Sequence, residues 1–577
     1  YLAEALPGFT RLATTVHQHG CRLIGQLFHP GAEVAAFLED GSRPVPVAPS
    51  AHQQERYLVT TRPMSAKLIG AVVAGYADTA ARMIAAGFDG VEVLASHGYL
   101  PIQFIDPHIN RRTDAYGGSF ANRLRFLNEI HDAVRARVGA DKLVGLRISA
   151  DDKIPNGLIE NDVHAVIQAL DAADRFDYFN VTLGSSSTTQ GAVHIVPPMA
   201  VAPGYVRPYA RRLRQLTSRA VFMVGRINQP AEAEAALNAG EADMIGMTRA
   251  QICDPELGNK IAAERAESIR VCIGCNQACI GHYALGAPIS CIQFPESGRE
   301  IEFGRRVAAA RSRVVMVIGG GPGGMKVAAV AAARGHRVTL YEGAARLGGQ
   351  TLLAQMLPDR AEFGGIVTNL QREIEEAGVI VRTGVTMSAA QIRAARPDVV
   401  VIATGAAVFM PAVEVSSGAH IVDAWQVIKD EVKCGARVVI ADWRGDWVGL
   451  GLATKLVRAG HHVRLAMVAN AAGVNVQYYV RDPWIGELSR LGVEFTPYAR
   501  LYGADESTVY FQHASTGHSI EFADTDTLVV SYGHRSVMDL YTELEDWDGE
   551  VHCIGDALAP RTAEEAVLDG LKIGSRI

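Results

Sequence analysis

An α/β chain of two unlike parts is predicted by three observations. Up to about residue 265 short β-branched runs alternate with longer amphipathic ones, the apolar run VVMVI at 314–318 leads into a glycine-rich turn, and four cysteines stand between these regions. At 577 residues the chain is too long for one ordinary domain. With 55 basic against 62 acidic residues, a net charge of -7, it has no electrostatic footprint for nucleic acid or an anionic membrane, which leaves a small molecule or a protein as partner. Its 57 Gly, against 5 Trp, suit an α/β enzyme with many backbone–ligand contacts.

Six strands are expected in the first part, at Cys21–Phe28, Phe88–Ala95, Lys142–Ser149, Asp177–Gly184, Ala220–Ile227 and Ala242–Arg249. Helical patterns at Ile69–Ala86, Asn122–Val138 and Ala231–Ala239 separate them, so the strands are parallel. None is followed by a glycine-rich phosphate turn. Polar residues instead gather at the strand C-terminal ends, where a (β/α)8 barrel builds its active-site face: Gln26 and His29, Ser96 to Tyr99, Arg147 and Ser149, Gly225-Arg226, and Thr248-Arg249. Two barrel strands are therefore expected to be missing, and the chain opens on Tyr1 in what reads as the middle of a helix.

The longest uncharged run, Tyr178 to Val206, is broken by polar residues and by Pro197-Pro198, so no transmembrane helix is expected. Of eight cysteines, four crowd into Cys272-x2-Cys275-x3-Cys279-x11-Cys291 and the rest are scattered, which fits a reducing cytoplasm. Four thiolates so close converge on one soft metal centre. Zinc and a 4Fe–4S cluster both accept them, but this spacing is tighter than two opposed zinc knuckles, and zinc cannot pass single electrons between flavin sites. Iron–sulfur is the reading.

The second part opens with Gly319-x-Gly321-x-x-Gly324 between a strand and a small-residue helix, and Glu342 ends the next strand where a ribose-binding acid belongs. Two further strand ends, at Gly405 and at Gly555-Asp556, complete a site for FAD or an ADP-containing ligand. A second βα segment begins at Ala436, but Asp442, Trp443 and Asp446 stand where glycines would admit a pyrophosphate, which puts NAD(P)H binding in doubt. The expected division is a barrel over 1–265, a cluster segment over 266–312, an FAD-type fold over 313–410 and 525–577, and an inserted NAD(P)-like fold over 411–524.

Across essentially the whole chain these residues resemble the iron–sulfur flavoprotein branch of the Old Yellow Enzyme family. The segments that carry the resemblance are Gly25-Gln-Leu-Phe-His-Pro-Gly31, Gly98-Tyr-Leu-Pro-Ile-Gln-Phe104, Arg111-Arg-Thr-Asp-Ala-Tyr-Gly-Gly118, Cys272-Ile-Gly-Cys-Asn-Gln-Ala-Cys279 and the later glycine-rich turn. The resemblance implies FMN in the barrel, a 4Fe–4S cluster on Cys272, Cys275, Cys279 and Cys291, and a C-terminal FAD/NAD(P)-like module. It further implies that Gln26 bonds the flavin edge, that Arg147 stabilises the reduced ring, and that Gly225, Arg226, Gly246, Thr248 and Arg249 cradle the FMN phosphate. Tyr99 would handle the proton that accompanies hydride transfer, His97 would orient the substrate, and His194 is a weaker candidate for a second contact.

Two chemistries share these parts. One is oxidative N-demethylation of a small methylated amine, with electrons leaving to an electron-transfer flavoprotein or another redox acceptor. The other is NAD(P)H-dependent reduction of an activated C=C bond, as in 2,4-dienoyl-CoA reductase. The altered second turn favours the first; the x3 cysteine spacing is nearer the second. The loop Gly184–Thr189 carries no aromatic residue to cage an ammonium group, so a polar N-methyl amino acid suits it better than trimethylamine. A third alternative, an electron-transfer flavoprotein without its own substrate, is opposed by His97 and Tyr99 at the barrel mouth.

Overall fold

The computed structural model describes residues 3–34, 37–38 and 40–577; Tyr1, on which the mid-helix reading falls, lies outside them. Two compact units are present, one of residues 1–197 and 201–247, the other of residues 198–200 and 248–577.

In the first unit the βα rhythm becomes one parallel sheet: β1 (Ile24–Leu27), β2 (Gly90–Ala95), β3 (Leu143–Ser149), β4 (Tyr178–Thr182), β5 (Ala220–Val224) and β6 (Met244–Gly246). Each strand bonds to the next in chain order, the sequential pairing of a barrel wall, and six strands are present among the described residues. The helices begin where the sequence can cap them. Ser65 accepts from Leu68 N at the start of α2 (Ala66–Ala85) and Ser119 from Asn122 N at the start of α3 (Phe120–Val138), which Gly139 ends at φ 84°. Helix α1 (Leu6–Gln18) precedes β1.

One expectation needs correction. Helix α2 is long and apolar enough, by length and composition, to cross a membrane. Its place is in the barrel wall: it packs along α3, puts Ile69, Tyr76, Ala80 and Met83 into the core, and pairs its Asp78 with Arg137 at 2.9 Å. The uncharged-run criterion missed it because its few charges are spaced along an otherwise aliphatic helix.

The second unit opens with α4 (Thr248–Cys253) and the cysteine segment, so this unit begins at Thr248 rather than after residue 265. A doubly wound sheet follows in the order β9–β8–β7–β10–β18, from β7 (Val314–Ile318), β8 (Arg337–Glu342), β9 (Ile380–Thr383), β10 (Val399–Ile402) and β18 (Glu550–Cys553). Between β10 and β18 runs β11 (Ala406–Val408). Then come β12 (Ile421–Asp423), β13 (Arg437–Asp442), β14 (His462–Met467), β15 (Glu494–Thr496), β16 (Thr527–Ser531) and β17 (His534–Ser536). The inserted sheet runs β12–β16–β13–β14–β15. Its central pairing of Val438–Asp442 with Thr527–Ser531 moves the return to the first nucleotide fold past the expected residue 525. The link is the antiparallel pair β11–β17, Ala406 opposite Ser536. Helix α5 (Pro322–Ala333) is built of small residues so that α8 (Ala563–Arg576) can lie against it, with Gly570 and Gly574 at the contact.

Candidate active site and cofactor sites

In the barrel, Gln26 on β1 donates through Nε2 to Glu92 Oε1 at 2.7 Å. Glu92 on β2 also accepts from Tyr178 OH at 3.1 Å and Asn180 Nδ2 at 2.9 Å, both on β4. Gly145 on the strand between makes this possible, since a Cβ there would stand 2.0 Å from the Tyr178 ring. Arg147 on β3 faces Glu92, Tyr205, Tyr99 and Tyr178, and burial lowers its guanidinium from the ordinary value. Glu92 and Asn180 were not singled out in the sequence, yet each is a lone polar residue inside an apolar strand, which is the signal of a purpose-built barrel interior.

At the end of β2 the chain turns sharply. His97 takes φ 60°, a left-handed conformation costly for a side-chain-bearing residue, and Gly98 follows at φ 77°. The end of β3 and the loop after β4 hold it. His97 N donates to Ser149 Oγ at 3.0 Å, and Ser149 Oγ donates to Gly184 O at 2.9 Å. Ser186 N donates to His97 O at 3.0 Å, while the Ser186 hydroxyl also lies 2.7 Å from buried Glu33. His97 Nδ1 lies 3.4 Å from Gly184 O. Burial, then the charge of Arg147, lowers the imidazole to about 3, so the ring is neutral. A carbonyl only accepts, so Nδ1 carries the proton and Nε2 is the acceptor. Tyr99 sits edge-on to His97 and to Phe28, with ring centroids 6.2 and 4.6 Å apart. His194 reaches the same region through Tyr205, whose hydroxyl bonds the His194 carbonyl.

Of the residues expected to hold phosphate, Gly225, Arg226 and Gly246 lie at the ends of β5 and β6. Gly225 has no room for a side chain, because a Cβ would meet Val206 at 2.7 Å. Arg226 is buried at φ 51° and bonds Val201 O. Thr248 and Arg249 open α4 in the second unit, where Arg249 Nη1 donates to Asn276 Oδ1 at 2.5 Å.

The four clustered cysteines are free thiols that lie within electrostatic reach of one another. Burial and the neighbouring thiols push Cys275 well up; burial raises Cys279 to about 11 against the opposing charge of Arg249. A fifth, Cys253, read as scattered in the sequence, is buried within electrostatic reach of Cys272 and Cys291, and its sulfur accepts from Gln293 Nε2 at 3.3 Å. Its position follows from α4, which no spacing rule reveals.

A cavity of about 1020 Å³ lies over the first nucleotide fold, lined by Gly319, Gly321, Gly324, Glu342, Gly405, Gly555 and Asp556. Gly321 opens α5 with nothing within 4 Å of a would-be Cβ, whereas a Cβ at Gly324 would stand 1.9 Å from Gly319 O. One glycine thus leaves room for a ligand and the other allows helix and strand to touch. Glu342 accepts from Gly320 N and Ala344 N, both at 2.7 Å.

The corresponding turn of the inserted fold faces the same cavity through Arg444, Asp446, Trp447 and Val448, but carries side chains where the first turn has glycines. Asp446 caps α7 (Trp447–Arg458), accepting from Val448 N at 2.9 Å, and pairs with Arg444 at 3.0 Å. The helix N-terminus, the usual seat of a pyrophosphate, thus holds the protein's own carboxylate. Asp442 lies behind it, 1% exposed, accepting from Gly445 N, and a Cβ on Gly449 would meet it at 2.5 Å. Burial, with repulsion from Asp446, raises Asp442 to about 7. The folded state therefore keeps a proton that the unfolded chain has lost, and the stability it contributes below about pH 4 disappears as pH rises through 7. Denaturation at pH 5 and pH 8 should show Asp442→Asn gaining on the wild type at the higher pH, by an amount on the order of a few kcal/mol.

Comparison with known proteins agrees with this arrangement. Residues 1–268 match the NADH:flavin oxidoreductase / NADH oxidase family, and residues 313–552 match the pyridine nucleotide-disulphide oxidoreductase family. A probable N-methylproline demethylase of Rhizobium meliloti (strain 1021) is 31% identical over 605 residues, covering 99% of this chain and 88% of its own. The N,N-dimethylglycine/sarcosine dehydrogenase of Chromohalobacter salexigens is 32% identical, covering 98% and 88%. The solved structure of a 2-naphthoyl-CoA reductase superposes with a TM-score of 0.91 at 28% identity, covering 100% and 88%. The barrel is an FMN domain and the second unit carries an FAD/NAD-type domain. The chain is an FMN-dependent oxidoreductase and belongs to the iron–sulfur flavoprotein branch of the Old Yellow Enzyme family.

Proposed function

We propose that this enzyme oxidises a small N-methylated amine of the N-methyl amino acid class, releasing the methyl group as formaldehyde, and delivers the electrons to a redox acceptor other than NAD(P)+. The observation that carries this reading is Asp446, which occupies the anion seat a nicotinamide nucleotide would need. The relatives named for N-methylproline and for dimethylglycine and sarcosine support the substrate class.

FMN, when bound, supplies the hydride acceptor. Gln26, steadied by Glu92, and the Arg147 guanidinium would hold its ring, and Arg226 with Gly225 and Gly246 its phosphate. Neutral His97 presents Nε2 as an acceptor to orient the substrate, and Tyr99 exchanges the proton that accompanies hydride transfer. Water then adds to the methylene iminium carbon and the adduct splits into the demethylated amine and formaldehyde.

A 4Fe–4S cluster on Cys272, Cys275, Cys279 and Cys291 would supply single-electron relay. The donor set suits it: four half-buried thiols lie within electrostatic reach of one another. FAD or an ADP-containing ligand would fill the cavity over Gly321, with Glu342 and Asp556 accepting from its hydroxyl groups.

Anaerobic mixing of the cofactor-loaded enzyme with N-methylproline, sarcosine or dimethylglycine is expected to bleach the flavin, and NADH or NADPH to leave it oxidised. Bleaching by the nicotinamides alone would overturn the proposal in favour of C=C reduction.

A further inference from the structure

The cavity over the first nucleotide fold holds about 1020 Å³, at the top of the range of roughly 300–1,000 Å³ usual for small-molecule sites. Its two ends differ. Glu342 ends β8 on one side of β7, while the chain leaves for the inserted fold from β10 on the other side, so a ligand's path runs from Glu342 across Gly321 toward the turn at Arg444–Val448. Arg360, 6% exposed, stands shortly before α6 (Gly365–Glu376), its guanidinium 4.7 Å from the centre of the Phe363 ring and 5.5 Å from that of Trp447, the first residue of α7. Gln277, 9% exposed, lies on the cysteine segment between Ile273 and Ala278, which share a core with Phe363. All three residues line the cavity. Among the described residues nothing bonds Arg360 Nε, Trp447 Nε1 or Gln277 Oε1, and each of these atoms is buried. Two donors and one acceptor in such a place are costly unless a ligand meets them. The carboxylate of the same turn does not, because Asp446 already accepts from Val448 N and pairs with Arg444.

The partner these atoms need offers two acceptors and a donor and tolerates a buried cation. A nucleoside diphosphate seated on Glu342 and Gly321 has used its ribose and phosphates there. An isoalloxazine ring carries C=O, N–H and C=O in a row, and on taking up two electrons and one proton it becomes an anion with its charge along that edge. We propose that the altered turn of the inserted fold is one wall of a flavin-ring subsite: Trp447 and Arg360 donate to the carbonyl oxygens of the ring, Gln277 accepts from its N–H, and the resident nucleotide is therefore FAD. Arg360 also offsets the charge of the reduced ring, which raises its potential. The inference rests on the reading of this cavity as a dinucleotide site and not on the amine chemistry. It gives the inserted fold a use that needs no nicotinamide, since its turn supplies a tryptophan where glycines would have supplied room.

The test begins with the nucleotides that acid releases from the holoenzyme, separated by chromatography. FAD beside FMN is expected; ADP in place of FAD overturns the proposal. Spectroelectrochemical titration then follows the two flavin couples. Arg360→Met keeps a long side chain without the charge and is expected to shift the FAD midpoint potential about 30 mV negative, a tenfold change in a two-electron equilibrium, while Arg360→Lys should recover part of it. Trp447→Phe keeps the ring without its N–H, and in the FAD-depleted full chain it is expected to raise the Kd for FAD about tenfold and to leave that for ADP unchanged, because ADP ends short of the subsite. A wild-type potential in Arg360→Met overturns the part given to Arg360. Trp447→Phe acting on both nucleotides alike, or on neither, overturns the subsite, and this variant with Arg360→Lys decides the matter if the methionine variant fails to fold. Failure of the amine reading shows separately, as bleaching of the FAD-loaded enzyme by nicotinamides alone.

Discussion

Tyr99→Phe is expected to lower kcat for an N-methyl amino acid by about 10²- to 10⁴-fold, the range set by loss of a positioned proton-transfer group. The substitution removes one oxygen and keeps the ring, so the edge-on contacts with Phe28 and His97 survive and the barrel mouth keeps its shape. FMN content and thermal stability should match the wild type, and KM should change little, because the interaction lost belongs to the transition state. Steady-state kinetics beside a flavin absorbance spectrum separates these quantities. An unchanged kcat would remove Tyr99 from the chemistry and leave His97 as the sole side chain at the end of β2 with a catalytic assignment.

Gly324→Ala is expected to destabilise the FAD-type fold by about 1–3 kcal/mol or more and to strip its nucleotide. The new methyl would stand 1.9 Å from Gly319 O, and backbone cannot swing aside as a side chain can. Either β7 or α5 must move, and with it the turn that faces the cavity. Gly321→Ala is the control, because its Cβ would enter open space at φ -73°, so the fold should hold while the methyl occupies the approach of a pyrophosphate. Denaturation midpoints and FAD per chain after gel filtration should therefore fall together in the first variant and part company in the second. Normal FAD binding by Gly321→Ala would argue that the ligand enters elsewhere in the cavity.

Much of this was legible in the residue string because it is periodic or local. All six barrel strands were located, with ends up to three residues too long, since hydrophobic alternation marks the middle of a strand while hydrogen bonding decides its ends. The turn at Gly319–Gly324 is one continuous segment whose spacing carries its meaning. What escaped were contacts between segments far apart in the chain. Glu92 receives Gln26, Tyr178 and Asn180 from 66, 86 and 88 residues away, and the brace on His97 comes from Ser149, Gly184 and Ser186. Cys253 looked unrelated to its partners for the same reason. The boundary of the inserted fold was misplaced because Thr527–Ser531 is an apolar strand that either sheet could have used, and only its pairing with Val438–Asp442 decides.

The β11–β17 pair has a bearing on how such a chain can change over generations. The guest fold leaves and rejoins its host through two neighbouring strands, Ala406–Val408 and His534–Ser536, and packs on the host again through Leu357 and the Arg458–Asp359 pair. Excising the inserted fold with a short bridge from Ala406 to Ser536 is the natural way to ask what it contributes.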